Sequence, residues 1–571
     1  MAFKTTRTFR AKPAFKATVA LSTATLLAGT ALPASAALAA PAPSRAPAAP
    51  SHPAPRPPYL HGNFKDGLVR SGPDREAKAR RPHATPAAGE HVLKADVLDR
   101  DGKAPSTQRA SQLYVWPLNG DDPIGIDVAD GHGEAPVPDG GYVLAIKIRD
   151  TAPDGRTSVV QLYDPKVEVK ADTTVTLDGR AARPLRVTAD RPDAKTADSA
   201  SVISQRLGTK YRAVTTLRAD DVYVTPAAPG DDLQLDVAAR LTKDGAQKGS
   251  PYAYNISSSV KGIPADPSVR VRTADLAEVR TGYASPGGPN CSSGYASPSW
   301  TTDIEYALHN DVGSLPAERI EYFTPGVDWY LSQAVTDESC SYNDYDLLLR
   351  HEWFPGPGRH ARTWGQAPFG PGQGGLTPDS DGANLVEVPM VSSADADTVA
   401  GGLSFTQGTT YLIDASGTVV ASSSVPGYLN GSPPAAPGSY TLTVDAKRSA
   451  PWTDLSPQQH IAWNVKVTDP KATLPLGVVR YKAHGLDASN RAAVSSFQTL
   501  SLTPDGLTTN TAPKLWTSTD NGTTWQSVPV FKDGTGWKAA FRNPARAGFV
   551  SLRTQVGGVV DQTVIRAYGV R

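Results

Sequence analysis

Short stretches of this chain alternate apolar and polar residues with a period of two. In "HVLKADVLD", Leu93, Ala95 and Val97 fall on one face. "SQLYVWPLN" puts Tyr114, Trp116 and Leu118 on one side, "IGIDV" aligns Ile124, Ile126 and Val128, and "YVLAIKI" aligns Tyr142, Leu144, Ile146 and Ile148. Turn residues interrupt these runs, as in "DRDG" at Asp99–Gly102 and "VPDGG" before Tyr142. Period-two alternation cut every 8 to 12 residues, roughly, by Gly, Pro and Asp predicts antiparallel β-sandwiches. The expected fold class is therefore all-β, built as tandem sandwich domains.

The pattern divides the chain. Residues 89–179 form a first sandwich. Its "DRDG" turn and "PDGGY" strand start resemble transthyretin-like or carboxypeptidase-regulatory-like modules. Residues 180–262 read as a second sandwich, with "LRVTA", "YRAVTTLRA", "DVYVTP" and "LQLDVAARLT" as strands. Residues 263–470 read as a larger β-sandwich unit, and 471–571 as a final unit. The final unit shows seven strand-like runs from "VVRYKA" to "DQTVIRAYG", a count and length that suit an immunoglobulin- or fibronectin-like sandwich.

Composition adds the compartment. The chain has 571 residues, too many for one core. Its 57 basic and 56 acidic residues give a net charge of +1, which argues against nucleic-acid binding and gives no polybasic case for membrane surfaces. Lys4, Arg7, Arg10, Lys12 and Lys16 precede the small-apolar run Ala17–Leu32, and Ala34-Ser35-Ala36 fits a cleavage site. Residues 1–36 are thus expected to be a secretory signal peptide, with the protein secreted and no membrane span in its mature form. Residues 37–88 are rich in Pro and Ala and read as a disordered linker. Cys291 and Cys340 are the only cysteines. In a secreted chain they are expected to form a disulfide; the rival is a metal or catalytic thiol, and two cysteines lack the spacing of a zinc knuckle.

Chemistry is harder to find. There is no G-x-S-x-G, H-E-x-x-H, P-loop or dinucleotide fingerprint. His132 in "DGHGE" reads as a loop residue, and His351 and His360 flank "EWFPGPGR" without a recognised ligand spacing around Glu352. "DSDG" at Asp379–Gly382 opens like a calcium loop, but position twelve is Met390, where an acidic ligand is needed. No catalytic residue, metal site or cofactor is assigned. "STDNGTTW" at Ser518–Trp525 resembles the Asp-box of sialidases, yet it occurs once and without periodic recurrence. It reads as a structural hairpin turn in which Asn-Gly supplies positive φ, Asp520 bonds the turn, Gly522 opens it and Trp525 packs beneath. Tyr322, Phe323, Trp329, Tyr330, Trp353, Phe354, Trp364 and Phe369 crowd about fifty residues. Aromatic residues usually supply buried area, and a sandwich core is one reading. The alternative is an exposed binding platform formed by Tyr322, Trp329, Trp353 and Trp364.

The C-terminal half carries a further likeness. "LPLGVVRYKAHGLDASNRA", "STDNGTTWQSVPV", "FRNPARAGFVSLRTQV" and "TVIRAYGVR" resemble the C-terminal β-rich accessory region of actinobacterial secreted subtilisin-like serine peptidases. "KGIPADPSVRVRTADLAEVRTGY", "ERIEYFTPGVDWYLS", "RTWGQAPFGPG" and "TLTVDAKRSAPW" are similar to the same proteins. The likeness spans most of residues 90–571 and is strongest from about 470. The Asp, His and Ser motifs of the peptidase domain are absent from this sequence, so no catalytic role transfers. The resemblance implies a secreted, non-catalytic accessory or binding protein. Its partner would be a secreted peptidase, another extracellular protein or a cell-wall polymer, and not nucleic acid. A secreted hydrolase with a non-obvious site and a structural cell-envelope protein are the alternatives. Free-thiol titration of the native protein is expected to find no reactive cysteine, and a titratable pair would remove the disulfide.

Overall fold

A computed structural model describes the strand Leu68–Arg70 and residues 86–571, apart from 88, 231, 300–303, 341–344, 379–383, 396–397, 403–406, 432–436 and 508–510. The expected signal peptide and the "DSDG" stretch lie outside the described residues. Pro58–Arg571 forms one unit. Among the described residues the regular structure is β, with only two short 3-10 turns, at Gly179–Ala181 and Thr273–Asp275. The all-β, multi-sheet class expected from the alternation is therefore found.

The first sheet has six strands in the order Ile124–Ile126, Leu113–Pro117, Gly140–Thr151, Thr157–Val169, Asp221–Val224 and Arg183–Leu185. A three-stranded sheet of His132–Pro138, Glu90–Leu98 and Thr173–Asp178 lies against one face. Leu93, Ala95 and Val97 from the smaller sheet meet Leu113, Val115, Leu144, Ile146 and Ile148 from the larger one in a common core. Trp116, Val143, Ala145, Val159 and Tyr163 point to the opposite face and pack in a second core with Ile203, Val214, Leu235 and Val237. The six-stranded sheet is thus buried on both sides. This explains why "YVLAIKI" is apolar at nearly every position except Lys147.

Among the described residues, ladders cross the boundaries placed by pattern at 88/89, 179/180, 262/263 and 470/471. Asp221–Val224 pairs in parallel with Ser158–Gln161, across 179/180. A seven-stranded sheet runs Lys210–Leu217, Ala194–Leu207, Gln234–Lys243, Tyr252–Lys261, Ala317–Phe323, Ala277–Tyr283 and Gly358–Trp364, across 262/263. A nine-stranded assembly pairs Gln458–Val467 with Val560–Val570, across 470/471. Leu68–Arg70, within the expected disordered linker, pairs antiparallel with Ile304–Tyr306.

The Cys291–Cys340 disulfide is present. Cys291 opens the strand Cys291–Pro298, buried throughout, whose "CSSGYASP" reads as loop by composition. Small residues suit it there because its neighbour is close: a Cβ on Gly294 would lie 2.1 Å from the Ser332 carbonyl oxygen.

Between the seven-stranded sheet and the sheet holding Cys291–Pro298, Asp328–Thr336 and Asp346–Trp353 lies a polar layer. At its centre is Glu321, fully buried. The carboxylate accepts from Thr281 Oγ1 at 2.7 Å, Tyr283 Oη at 3.1 Å, Arg319 Nη2 at 2.6 Å and Arg362 Nη2 at 2.5 Å. Arg362 continues to Glu352 at 3.2 Å, Glu352 also accepts from Arg350 at 3.4 Å, and Arg350 ends on Asp395. Positive and negative groups alternate along this chain from one sheet to the other. Arg240 stands beside it, donating to the carbonyls of His309 and Asp311, and burial together with nearby Arg319 brings its guanidinium down to about 10.

Burial alone would push the Glu321 carboxyl up, but Arg319, Arg362 and the Thr281 hydroxyl outweigh it and hold it well below the usual carboxylate range. Its contribution to stability is full above the unfolded value of about 4.3 and is lost as pH falls from there through the folded value. Glu321→Gln leaves the buried Arg319 guanidinium without a carboxylate and Arg362 with Glu352 alone, and is expected to lower stability at neutral pH by about 3–5 kcal/mol. In urea unfolding, the gap between the variant and the parent should narrow as pH drops below about 4. A gap independent of pH would contradict the assignment.

Candidate functional site

Most of the aromatic residues are packed in cores, and the alternative platform of Tyr322, Trp329, Trp353 and Trp364 is not one surface. Trp329 is fully buried, with Nε1 donating to the Thr324 carbonyl at 3.1 Å. Trp364 is buried in the same core, with the Arg350 guanidinium over its ring at 5.1 Å. Tyr322 is buried on the opposite face of its sheet, stacked on Tyr254 at 4.6 Å between centroids. Only Trp353 is exposed, at 51%. Clustering in sequence signals packing here: the rings alternate between the two buried faces of a central sheet.

The histidines also find structural places. His132 opens the strand His132–Pro138 instead of lying in a loop, and its Nδ1 bonds Asp96 at 2.8 Å. His351 faces outward beside Tyr330, while Glu352 turns inward to Arg350 and Arg362. Neighbouring residues of a strand point to opposite faces, so these two cannot converge on one ion. His360 packs its ring on Phe354 at 5.0 Å.

The Ser518–Trp525 stretch is a hairpin. Lys514–Ser518 pairs with Gln526–Val528, and Asn521 and Gly522 take φ of 56° and 87°. Asp520 Oδ1 accepts from Thr524 N at 2.9 Å and from Ser518 Oγ at 2.7 Å, and Oδ2 accepts from Thr524 Oγ1 at 2.6 Å. These bonds, those from Thr524 first, bring its carboxyl down to about 2. A Cβ on Gly522 would stand 2.8 Å from Ile565 Cδ1 and 3.3 Å from the Trp525 ring. Every polar contact of Asp520 is spent on the turn itself.

The exposed face that the fold does build lies elsewhere, on the sheet Val478–Ala483, Phe497–Asp505, Gly536–Arg542 and Val530–Asp533. Its sequence fixes which side faces out. Leu500 and Leu502 point into the core with Tyr481, Trp537 and Ala539. Parity then forces Phe497, Thr499 and Ser501 outward. Cross-strand register extends the same face: Lys482 stands opposite Ser501, Ser501 opposite Lys538, and Lys538 opposite Phe531. Phe497 stands opposite Arg542 further along. Phe497 and Phe531 are the most exposed large apolar side chains among the described residues, at 71% and 66%. From strand spacing and rise they lie about 16 Å apart.

The face is electropositive. Lys482, Lys538 and Arg542 project from it, with Asp533 paired to Lys538 at 2.9 Å and Arg542 donating to the Ser495 carbonyl at 3.1 Å. His484 sits beside Ser501 at 2.8 Å, and its imidazole is lowered from its ordinary value by burial first and then by Lys482 and Lys538. Residues 471–571 contain twelve Lys and Arg against five Asp and no Glu. The near-neutral whole-chain charge conceals this segment. Charge counted by unit, with the parity of "SSFQTLSLTP", would have exposed the face from sequence.

No family model and no curated protein matches this chain. Among solved structures, it is similar to a Bacteroides ovatus ATCC 8483 protein assigned as a candidate adhesin, at 10% identity, covering 32% of this chain and 92% of that one, with a TM-score of 0.14. It is also similar to the Bacillus anthracis TIE protein, at 8% identity, covering 67% of this chain and 74% of that one, with a TM-score of 0.11.

Proposed function

We propose that this is a secreted, non-catalytic binding protein that holds a macromolecular partner against the outer face of its C-terminal sheet. We propose further that it is related to the accessory region of subtilisin-like peptidases. The observation that carries the reading is the pair Phe497 and Phe531. Burying a Phe side chain stabilises a fold by about 1.5–3 kcal/mol relative to leaving it in water, and here two rings are left out on one flat face. Aromatic residues set among lysines, an arginine and hydroxyls on one face support a recognition surface. The disulfide supports an oxidising compartment. The resemblance to accessory regions is strongest over the segment that holds this face.

The test is retrieval of partners from culture supernatant and isolated envelope, with the full chain as bait and mass spectrometry as readout. Phe497→Ala/Phe531→Ala is expected to fold with stability changed by less than about 0.5 kcal/mol per exposed site, and to lose the partner that the parent retains. Trp353→Ala should retain it. Equal retrieval by the double variant, or nothing specific retained by the parent, would overturn the proposal.

A further inference from the structure

The composition of the same face points to a class of partner, an inference that rests on the binding reading above. We infer that the face takes a polyanionic glycan, whose sugar rings lie on Phe497 and Phe531 and whose acidic groups meet Lys482, Lys538 and Arg542.

Three observations converge. The first is geometry. The row Lys482, Ser501, Lys538 and Phe531 crosses four strands, so it extends over about 14 Å. Phe497 and Arg542 form a second row, displaced along the strands. Cations and rings therefore alternate over a flat surface longer than a single sugar, a layout for an extended chain and not for a small molecule in a pocket. Between the rows, Thr499 offers a hydroxyl and Ala540 opposite it leaves the surface level.

The second is charge. Lys482 has no carboxylate partner among the described residues, and Arg542 donates to a backbone carbonyl. The Lys538–Asp533 pair is half exposed on both sides. A pair of that kind contributes about 0–1 kcal/mol and yields readily to an incoming anion. Burial first, and then Lys482 and Lys538, lower the His484 imidazole beside them.

The third is the type of aromatic residue and its compartment. Phenylalanine has no polar tip, so Phe497 and Phe531 offer apolar faces of the kind on which the C–H face of a sugar or a nucleobase can lie. Stacking of that kind would also suit a single-stranded nucleic acid. The disulfide favours an oxidising environment outside the cytosol, a compartment in which acidic polysaccharides are one class of polyanion. Within residues 89–470, by contrast, acidic residues outnumber basic ones.

Affinity gel electrophoresis of the full chain tests the inference with four probes: polygalacturonate, dextran sulfate, unmodified dextran and an oligo-deoxythymidine. Polygalacturonate and dextran sulfate are expected to retard the protein, and dextran is not. Lys482→Gln/Lys538→Gln/Arg542→Gln should weaken polygalacturonate binding by about tenfold or more, as expected for losing three exposed charge contacts. Phe497→Ala/Phe531→Ala should weaken it with no change in net charge. Retardation unaltered by either set would overturn the glycan assignment, as would equal retention by plain dextran. Tighter binding of the oligonucleotide would transfer the face to nucleic acid. If neither polyanion binds while the Phe variant still loses its retrieved partner, the glycan class fails and the binding surface stands. If both results are negative, both fail.

Discussion

Glu321 is the group on which the middle of the structure depends. Three strands meet at its carboxylate through Thr281, Tyr283, Arg319 and Arg362. Arg362 then hands the contact to Glu352 and Arg350 in the facing sheet. Taking such charges out of water is costly, and only good geometry with complete hydrogen bonding repays it. The arrangement therefore fixes register. A one-residue slip of Ala317–Phe323 would turn Glu321 onto the side where Tyr254 and Tyr322 stack. Apolar packing alone tolerates sliding and substitution far better than this alternating row does.

The rigidity extends to the C-terminal sheets. Asn490, fully buried, donates to the Ser285 and Gly365 carbonyls at 3.0 and 2.9 Å and accepts from Ala367 N at 2.8 Å. It does so at a φ of 57°, which Asn tolerates better than most residues. Gln562 bonds both backbone groups of Val479 across the C-terminal sandwich, at 3.0 and 2.7 Å. Trp463 Nε1 reaches the Gly477 carbonyl at 2.7 Å. The Gln562 and Trp463 contacts hold the inner side of the sheet that carries Phe497 and Phe531. The outer side is left to solvent on a stiff support, which is what a flat recognition surface needs.

Much of the fold was legible because alternation is a local signal. Leu93, Val97, Leu144 and Ile146 were placed on the right sides of their strands by period alone, and all lie in one core. The hairpin at Asp520 was legible because Asn-Gly has few other uses. Domain boundaries were not, because a ladder between Tyr252–Lys261 and Ala317–Phe323 joins segments that no turn connects. Polar strands were also hidden. Cys291–Pro298 has the composition of a loop, and Glu321 interrupts the apolar face of its strand, because the partner that makes each tolerable comes from distant sequence. The site misled in the other direction. Dense aromatics around Trp329 marked a core, whereas the two rings left exposed are isolated in sequence and are recognised only when parity is counted from Leu500 and Leu502.

Hydroxyl-radical footprinting of the full chain, with and without the partner retained from envelope or supernatant, locates the binding surface. Side chains covered by a bound molecule lose reactivity, and Phe497, Phe531 and His484 are exposed enough to be read in the free protein. Binding on the C-terminal sheet protects those three and leaves Trp353 unchanged. Protection centred on Trp353, with Phe497 and Phe531 as reactive as before, would contradict it.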